Sequence, residues 1–454
     1  MTGCRRVAAL VYTILAVFIG VPASAAAETA PALKPPPVDY RYIKWERPPL
    51  RTFYASPHGG GNGTSRSRPR AFNKLLPTLR AGDRVILLLG NYPSARLSLQ
   101  GTATRPIRIE AEHPIVRDAR HTVAAWKKVV FRNTGLQISK SAYVRIKGLS
   151  FHTDQGRSSS GIEVLSGRNL AFVQNQFLQN SNYGLLFFGK KTGDVAQVLV
   201  EGNVFRSMIS GKEPGGIGRA WMDYGLRIHG TDTLVARNNL FDGYFNHAVS
   251  VKEMSRDILI ERNKFNICSV ICVEAGQEPD TAAGGTLIDR TVVNVNIRNN
   301  VFNGRNDGST GVFARNVERA YVTGNAFNRI ARPLRIANND LNSRSCERQL
   351  QVIGRMLAIC EHRSRLTLTG RRNRAVLFEK NRVRGKAAIY VTGRGYKGDF
   401  LSIRDTSADT RVPVVRRSFV VNKAAVNAWT KGAQETLLPP QVYLKGSGAF
   451  YLQK

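Results

Sequence analysis

The sequence predicts an all-β fold, a right-handed parallel β-helix (solenoid) with a short N-terminal capping helix, and three observations carry that expectation. A tripeptide Asn-x-Phe recurs through the body of the chain, a short strand of alternating polarity follows each copy, and the chain runs to 454 residues. That length exceeds a typical single domain of about 100–200 residues, yet it is natural for a fold that grows by adding repeats.

The repeat is clearest at Asn175-Gln176-Phe177, Asn203-Val204-Phe205, Asn239-Leu240-Phe241, Asn263-Lys264-Phe265, Asn300-Val301-Phe302 and Asn325-Ala326-Phe327, with a degenerate copy at Asn381-Arg382-Val383. Intervals of 28, 36, 24, 37, 25 and 56 residues give a coil of about two dozen residues plus insertions, the last holding at least one extra coil or loop. Each Asn suits a tight left-handed turn in which it bonds its own backbone. The Phe two places later fills the coil interior, so stacked copies form ladders of both.

The strands overlay as Leu185–Phe188, Leu226–His229, Val249–Lys252, Ile271–Glu274, Val312–Arg315, Leu334–Ala337 and Ile389–Thr392. First and third members are apolar in all seven, the period-two signature of a face turned into a core. Antiparallel hairpins would not keep one phase after every Asn-x-Phe, and amphipathic helices fail on the period.

Taken in order, residues 1–25 read as a secretory signal: Arg5 and Arg6, an apolar run Val7–Val21, then Pro22-Ala23-Ser24-Ala25 with cleavage near Ala25. The run is shorter than the roughly 20 apolar residues of a membrane span, and no later stretch approaches that length. The chain is expected to be periplasmic or secreted, without a membrane span, and a monomer. Residues 26–52 form a Pro-rich linker, 53–395 the β-helix with a basic insertion at 343–374, and 396–454 a C-terminal extension or cap. The mature chain keeps Cys268, Cys272, Cys346 and Cys360 in an oxidising compartment. Three connectivities are open; the short spans favour Cys268–Cys272 and Cys346–Cys360.

The β-helix opens with Phe53-Tyr54-Ala55-Ser56-Pro57, a Gly-rich turn Gly59 to Thr64, a helical stretch Ala71 to Leu79, and Ala81-Gly82-Asp83-Arg84-Val85. This opening resembles that of the pectate-lyase-like β-helix superfamily, in which a strand, a Gly-rich turn and a capping helix precede a Gly-Asp turn into the first coil. Gly101-Thr102 and Arg105-Pro106-Ile107-Arg108-Ile109 continue the resemblance, which speaks for the fold and not for a reaction.

Lys and Arg number 67 against 32 Asp and Glu, a net charge of +35. Such a field concentrates polyanions. Export favours an acidic, uronate-containing polysaccharide as partner over specific nucleic acid; selection of charge without any ligand is the bland alternative. The strand overlay places outward residues in two columns. One runs Leu186, Arg227, Ser250, Cys272, Phe313, Arg335, Tyr390; the other Phe188, His229, Lys252, Glu274, Arg315, Ala337, Thr392. β-Elimination of a uronate needs a neutralised carboxylate, a base for the α-proton and a donor for the leaving oxygen. Lys252 and His229 are base candidates, and Tyr244 and His247 stand in adjoining turns as further catalytic candidates. Arg227, Arg315, Arg335 and Tyr224 are substrate-binding candidates, while Glu274, Gln277 and Asp280 offer oxygen ligands for Ca²⁺. The plain structural alternative is a cross-strand Lys252–Glu274 ion pair, which contributes only about 0–1 kcal/mol when exposed.

Ser250-Val251-Lys252, followed by an Asn-x-Phe turn and a Cys, is similar to the catalytic stretch of the alginate lyase and chondroitinase B family of polysaccharide lyases. The resemblance implies Lys252 as base. Where that family has an Arg before His-Gly, this chain has Glu274-Ala275-Gly276. The Asp-Pro-His signature of periplasmic mannuronan epimerases is absent, and Asp223 lacks the partner of the paired aspartates in β-helix galacturonan hydrolases. The expected function is therefore a polysaccharide lyase; the alternatives are a non-catalytic polysaccharide-binding or export protein, or a glycoside hydrolase with Glu274 as acid.

Overall fold

A computed structural model describes residues 43–113, 129–132, 135–152, 160–178, 182–207, 222–267, 270–276, 292–305, 308–315, 317–337, 375–392, 400–417, 441–444 and 450–453. The signal, most of the linker, the basic insertion, Cys268, Cys346, Cys360, Gln277 and Asp280 lie outside them.

Successive strands of one coil go to three different sheets, and each strand pairs in parallel with its counterpart one coil away. In the coil containing Asn239, Thr231–Arg237 belongs to the first sheet, Leu240–Gly243 to the second and Phe245–Val251 to the third. The chain is a parallel β-helix, with the interior filled by the apolar members of each strand.

Asn-x-Phe is the corner that turns the first sheet into the second. The residue before each ladder Asn takes the left-handed conformation: Gln174, Gly202, Asn238, Arg262, Asn299, Gly324 and Lys380 all have φ between 51° and 69°. The Asn itself does a different job from the one expected of it. Its side chain bonds the neighbouring coils rather than its own turn. Asn263 Nδ2 donates to Ala236 O at 2.9 Å and to Asn300 Oδ1 at 3.1 Å, while its Oδ1 accepts from Asn239 N at 2.9 Å and Asn239 Nδ2 at 2.9 Å. Backbone groups freed by the corner are thus satisfied by the side chain one coil along, as burial demands. The Phe rings stack beneath, 4.7 Å apart and within 6° of parallel for Phe177–Phe205, Phe205–Phe241, Phe265–Phe302 and Phe302–Phe327.

Phe327 pairs directly with Val383, so the 56-residue interval is one coil carrying an insertion, with no extra coil. Parallel coils also continue past residue 395: Phe400–Arg404, Ser407–Ala408 and Val412–Arg417 extend the three sheets. Thr406 takes the Asn place, accepting from Asn381 N at 3.4 Å, and Ala408 takes the Phe place opposite Val383. With both marker residues replaced, the motif could not show this coil. Gln441–Leu444 and Phe450–Gln453 then pair antiparallel beside Val412–Arg417 and cover that sheet's edge.

At the other end, an α-helix Phe72–Leu75 runs into a 3₁₀ turn Leu76–Thr78, and Phe72 packs edge-on against Tyr92 and Phe131 to close the interior. Order begins earlier than Phe53. Trp45 packs on an outward apolar stripe of the first sheet, Ala171, Leu199, Val235 and Leu259. Its carbonyl accepts from Arg108 and Glu46 pairs with Arg145. The prolines of this stretch suit an extended strap as well as a linker.

Candidate active site

The outward face of the third sheet carries the candidate residues on Tyr183–Phe188, Met222–His229, Phe245–Val251, Ile271–Gly276, Thr310–Arg315 and Arg332–Ala337. Observed register corrects one row of the sequence overlay. Ser250 pairs with Glu274 and Glu274 with Phe313, so Glu274 belongs to the column of Leu186, Arg227, Ser250, Phe313, Arg335 and Tyr390. The overlay had slipped by two residues, a shift that leaves period-two alternation intact and so escapes it. Cys272 departs from the outward place that alternation gives it and is fully buried in the core cluster. In the other column, the place next to Lys252 falls to Gly276, which pairs with Arg315.

Without a side chain at Gly276, Glu274 reaches across and gathers the cations on both sides. Its Oε2 lies 2.5 Å from Lys252 Nζ, 3.0 Å from Ser250 Oγ and 3.2 Å from His247 Nε2, and its Oε1 lies 3.4 Å from Arg315 Nη2. Lys252, His247 and Glu274 are buried, Glu274 to 1% exposure. Burial by itself would raise the Glu274 carboxyl, but His247, Lys252 and Arg315 together hold it below the usual range. Burial draws Lys252 down, with Arg227 and Arg315 in the same direction, and this outweighs the opposing pull of Glu274. Burial likewise takes His247 down to about 4, so at neutral pH the imidazole is uncharged. His247 Nε2 lies beside the Glu274 carboxylate, and its Nδ1 is buried without a hydrogen-bond partner among the described residues.

His229 is oriented rather than available as a base. Its Nε2 accepts from Arg227 Nε at 2.6 Å and its Nδ1 lies 3.5 Å from Glu253 Oε1, so both ring nitrogens are engaged. Burial pushes it below its ordinary value, against the pull of Glu253. Arg227 is clamped: Nη1 donates to Tyr183 OH at 2.7 Å, and its guanidinium sits 4.6 Å from the Tyr224 ring centroid and 5.2 Å from that of Tyr183. Tyr224 stacks on His247, centroids 4.9 Å apart and planes 4° from parallel, and burial raises its phenol to about 12. Phe313 lies between two guanidinium groups, Arg315 and Arg335, each 4.4 Å from its centroid. Asp223, a buried carboxyl on the Arg227 strand, is pushed up by burial despite Asn246, Arg227 and Lys252.

Two expectations fare differently. Tyr244 is not brought into the cluster; its hydroxyl accepts from Arg305, with the guanidinium 5.3 Å from its ring. The described neighbours of Glu274 are an ammonium, a guanidinium and an imidazole, which add no oxygen for Ca²⁺, and the other expected ligands, Gln277 and Asp280, lie outside the described residues. No group of three or more metal-ligating side chains occurs among the described residues. Sequence reasoning missed Tyr183, Glu253 and Gly276. Tyr183 was legible two residues before its strand as overlaid, whereas Glu253 follows Lys252 into a turn and Gly276 was hidden by the two-residue slip.

Residues 134–327 match the family model described as right handed beta helix region. Solved structures of similar fold include pectate lyase Pel9A (16% identity, TM-score 0.34, covering 64% of this chain and 74% of that one). They also include the alginate lyase from Paenibacillus sp. str. FPU-7 (15%, 0.40, 61% and 94%). A third is the A-module of the Azotobacter vinelandii mannuronan C-5 epimerase AlgE6 (13%, 0.40, 77% and 90%). No curated protein matches the chain. The likeness is one of fold: this is a right-handed parallel β-helix.

Proposed function

We propose that the protein is exported and acts on an acidic polysaccharide as a lyase, cleaving by β-elimination on the third-sheet face. The observation that carries this reading is the gathering of Lys252, His247 and Arg315 around one buried carboxylate, with clamped Arg227 beside it. Arg315 and Arg227 neutralise the uronate carboxylate, which acidifies the adjoining C–H. Lys252, drawn down by burial, takes that proton; the C–O bond to the leaving sugar breaks, and a C=C bond forms in the new chain end. Tyr224, protonated at neutral pH, donates to the leaving oxygen.

A second assignment gives the base role to His247, which lies 3.2 Å from Glu274 Oε2 and whose Nδ1 has no hydrogen-bond partner among the described residues. Ultraviolet absorbance of the unsaturated product, measured with alginate, polygalacturonate, chondroitin sulfate and hyaluronan, tests the reaction. Lys252→Arg keeps the charge and the pairing with Glu274 but cannot give up its proton. It is expected to lose at least 100-fold in rate with the fold intact. Full activity in that variant, with loss in His247→Ala, transfers the base role to His247. Retention on an alginate column with no absorbance rise on any polymer replaces the lyase with a non-catalytic binding protein.

A further inference from the structure

The column that holds Arg227 continues without a break toward the capping helix: Arg227 pairs with Leu186, Leu186 with Glu163, Glu163 with Gln137 and Gln137 with Arg96. These rows border a cavity of about 1080 Å³. Tyr183, whose hydroxyl Arg227 holds, lines one end, and Asn73, Leu76 and Pro77 of the capping segment line the other. Four consecutive strands take part, so the trough runs roughly 14 Å along the sheet and is long enough for a few sugar rings. It is continuous with the cationic cluster but differs from it in charge. Its floor presents Gln137 and Glu163, joined by a hydrogen bond from Gln137 Nε2 at 3.0 Å, and its other described lining is uncharged except for Arg96.

We infer that this trough binds neutral sugar residues, so that the substrate is a heteropolysaccharide in which uronates alternate with uncharged sugars. The inference rests on the acidic-polysaccharide reading and narrows it. A homopolymer of uronates carries a carboxylate on every ring, and one threaded from Arg227 toward the cap would set a carboxylate against Glu163. Like charges brought together in a partly desolvated trough reject a ligand more effectively than added contacts select one. A copolymer can place its acid on Arg227, Lys252 and Arg315 and lay a neutral ring over Gln137 and Glu163, which offer hydrogen-bond partners to sugar hydroxyls.

Affinity electrophoresis at about 150 mM salt, where diffuse attraction is screened, tests this with two alternating polymers, hyaluronan and the rhamnogalacturonan backbone, against polygalacturonate and alginate. The wild type is expected to bind at least one alternating polymer about 10-fold or more tighter than either homopolymer. Glu163→Arg should tighten homopolymer binding and shrink that ratio several-fold, and Glu163→Gln should do so by less. Glu201→Arg on the first sheet, which changes net charge equally away from the trough, should leave the ratio unchanged. Homopolymers bound as tightly as copolymers, or a ratio indifferent to Glu163, overturns the inference and leaves the acidic-polysaccharide reading standing. Binding to none of the four polymers removes both.

Discussion

At neutral pH His247 carries no charge, and keeping it that way is part of the folding energy. Its folded value is about 4 against 6.5 for the free side chain. Between those values the unfolded chain binds more protons, so stability rises with pH through the window and falls as pH drops through it. Acidifying from pH 7 to 4.5 should cost on the order of 2 kcal/mol from this residue alone. Glu274 does not confuse the measurement. Its value lies below 4.5, so its contribution is present above that pH and is lost only in stronger acid. Urea denaturation at the two pH values should therefore show a smaller loss for His247→Gln than for the wild type; parallel losses would contradict the assignment. Lys252, Arg227 and Arg315 were legible as outward cations because alternation fixes which side chains leave the core. His247 as partner of Glu274 was not, since the carboxylate reaches diagonally across a glycine that only register reveals.

The coil corner is the element on which the solenoid depends. Asn263→Ala would strip the buried Ala236 carbonyl and the Asn239 N–H of their partners. With each unsatisfied group costing about 1–3 kcal/mol, the loss should be roughly 3 kcal/mol or more, read as a lower denaturation midpoint in urea. A change under 1 kcal/mol would mean the corner bonds are replaceable. Half-buried Asn266, whose side chain bonds Asp242 and Asn303 outside the core, serves as the control and should cost less when changed to Ala. Glycine meets a related demand on the third sheet. A Cβ on Gly161, Gly184 or Gly225 would stand 2.6 Å from a carbonyl oxygen of the next coil, so a side chain at any of these three would force the backbone to shift. The Asn-x-Phe spacing made these corners visible wherever both residues are kept, and invisible at Thr406 and Ala408 where neither is.

For the whole molecule, charge and architecture act on different scales. A net charge of +35 attracts any polyanion over about a Debye length, whereas discrimination between sugars would, on the reading proposed above, fall to the column on the third sheet. Retention on an alginate column should consequently weaken steeply between about 50 and 300 mM NaCl, with whatever survives higher salt coming from the site. Binding that is flat across that range would show that the diffuse field contributes little. The parallel coils hold the cluster: Arg227, His247, Glu274 and Arg315 lie on strands bonded to neighbours on both sides, and Lys252 follows its strand directly, with its N–H bonded to Ile228 O at 2.7 Å.

Local chemistry repeated many times was enough to reveal the fold: a left-handed corner, a buried Asn and a stacked Phe must recur wherever the chain turns, and each recurrence is written in residue types. Outward and inward faces follow from the same local rule. What only the tertiary structure decided was contact between coils. A slip of two residues preserves every alternation, and insertions of unequal length hide which residue lies above which. Hydrogen-bond register alone placed Gly276 beside Lys252 and brought Glu274 among Lys252, His247 and Arg315.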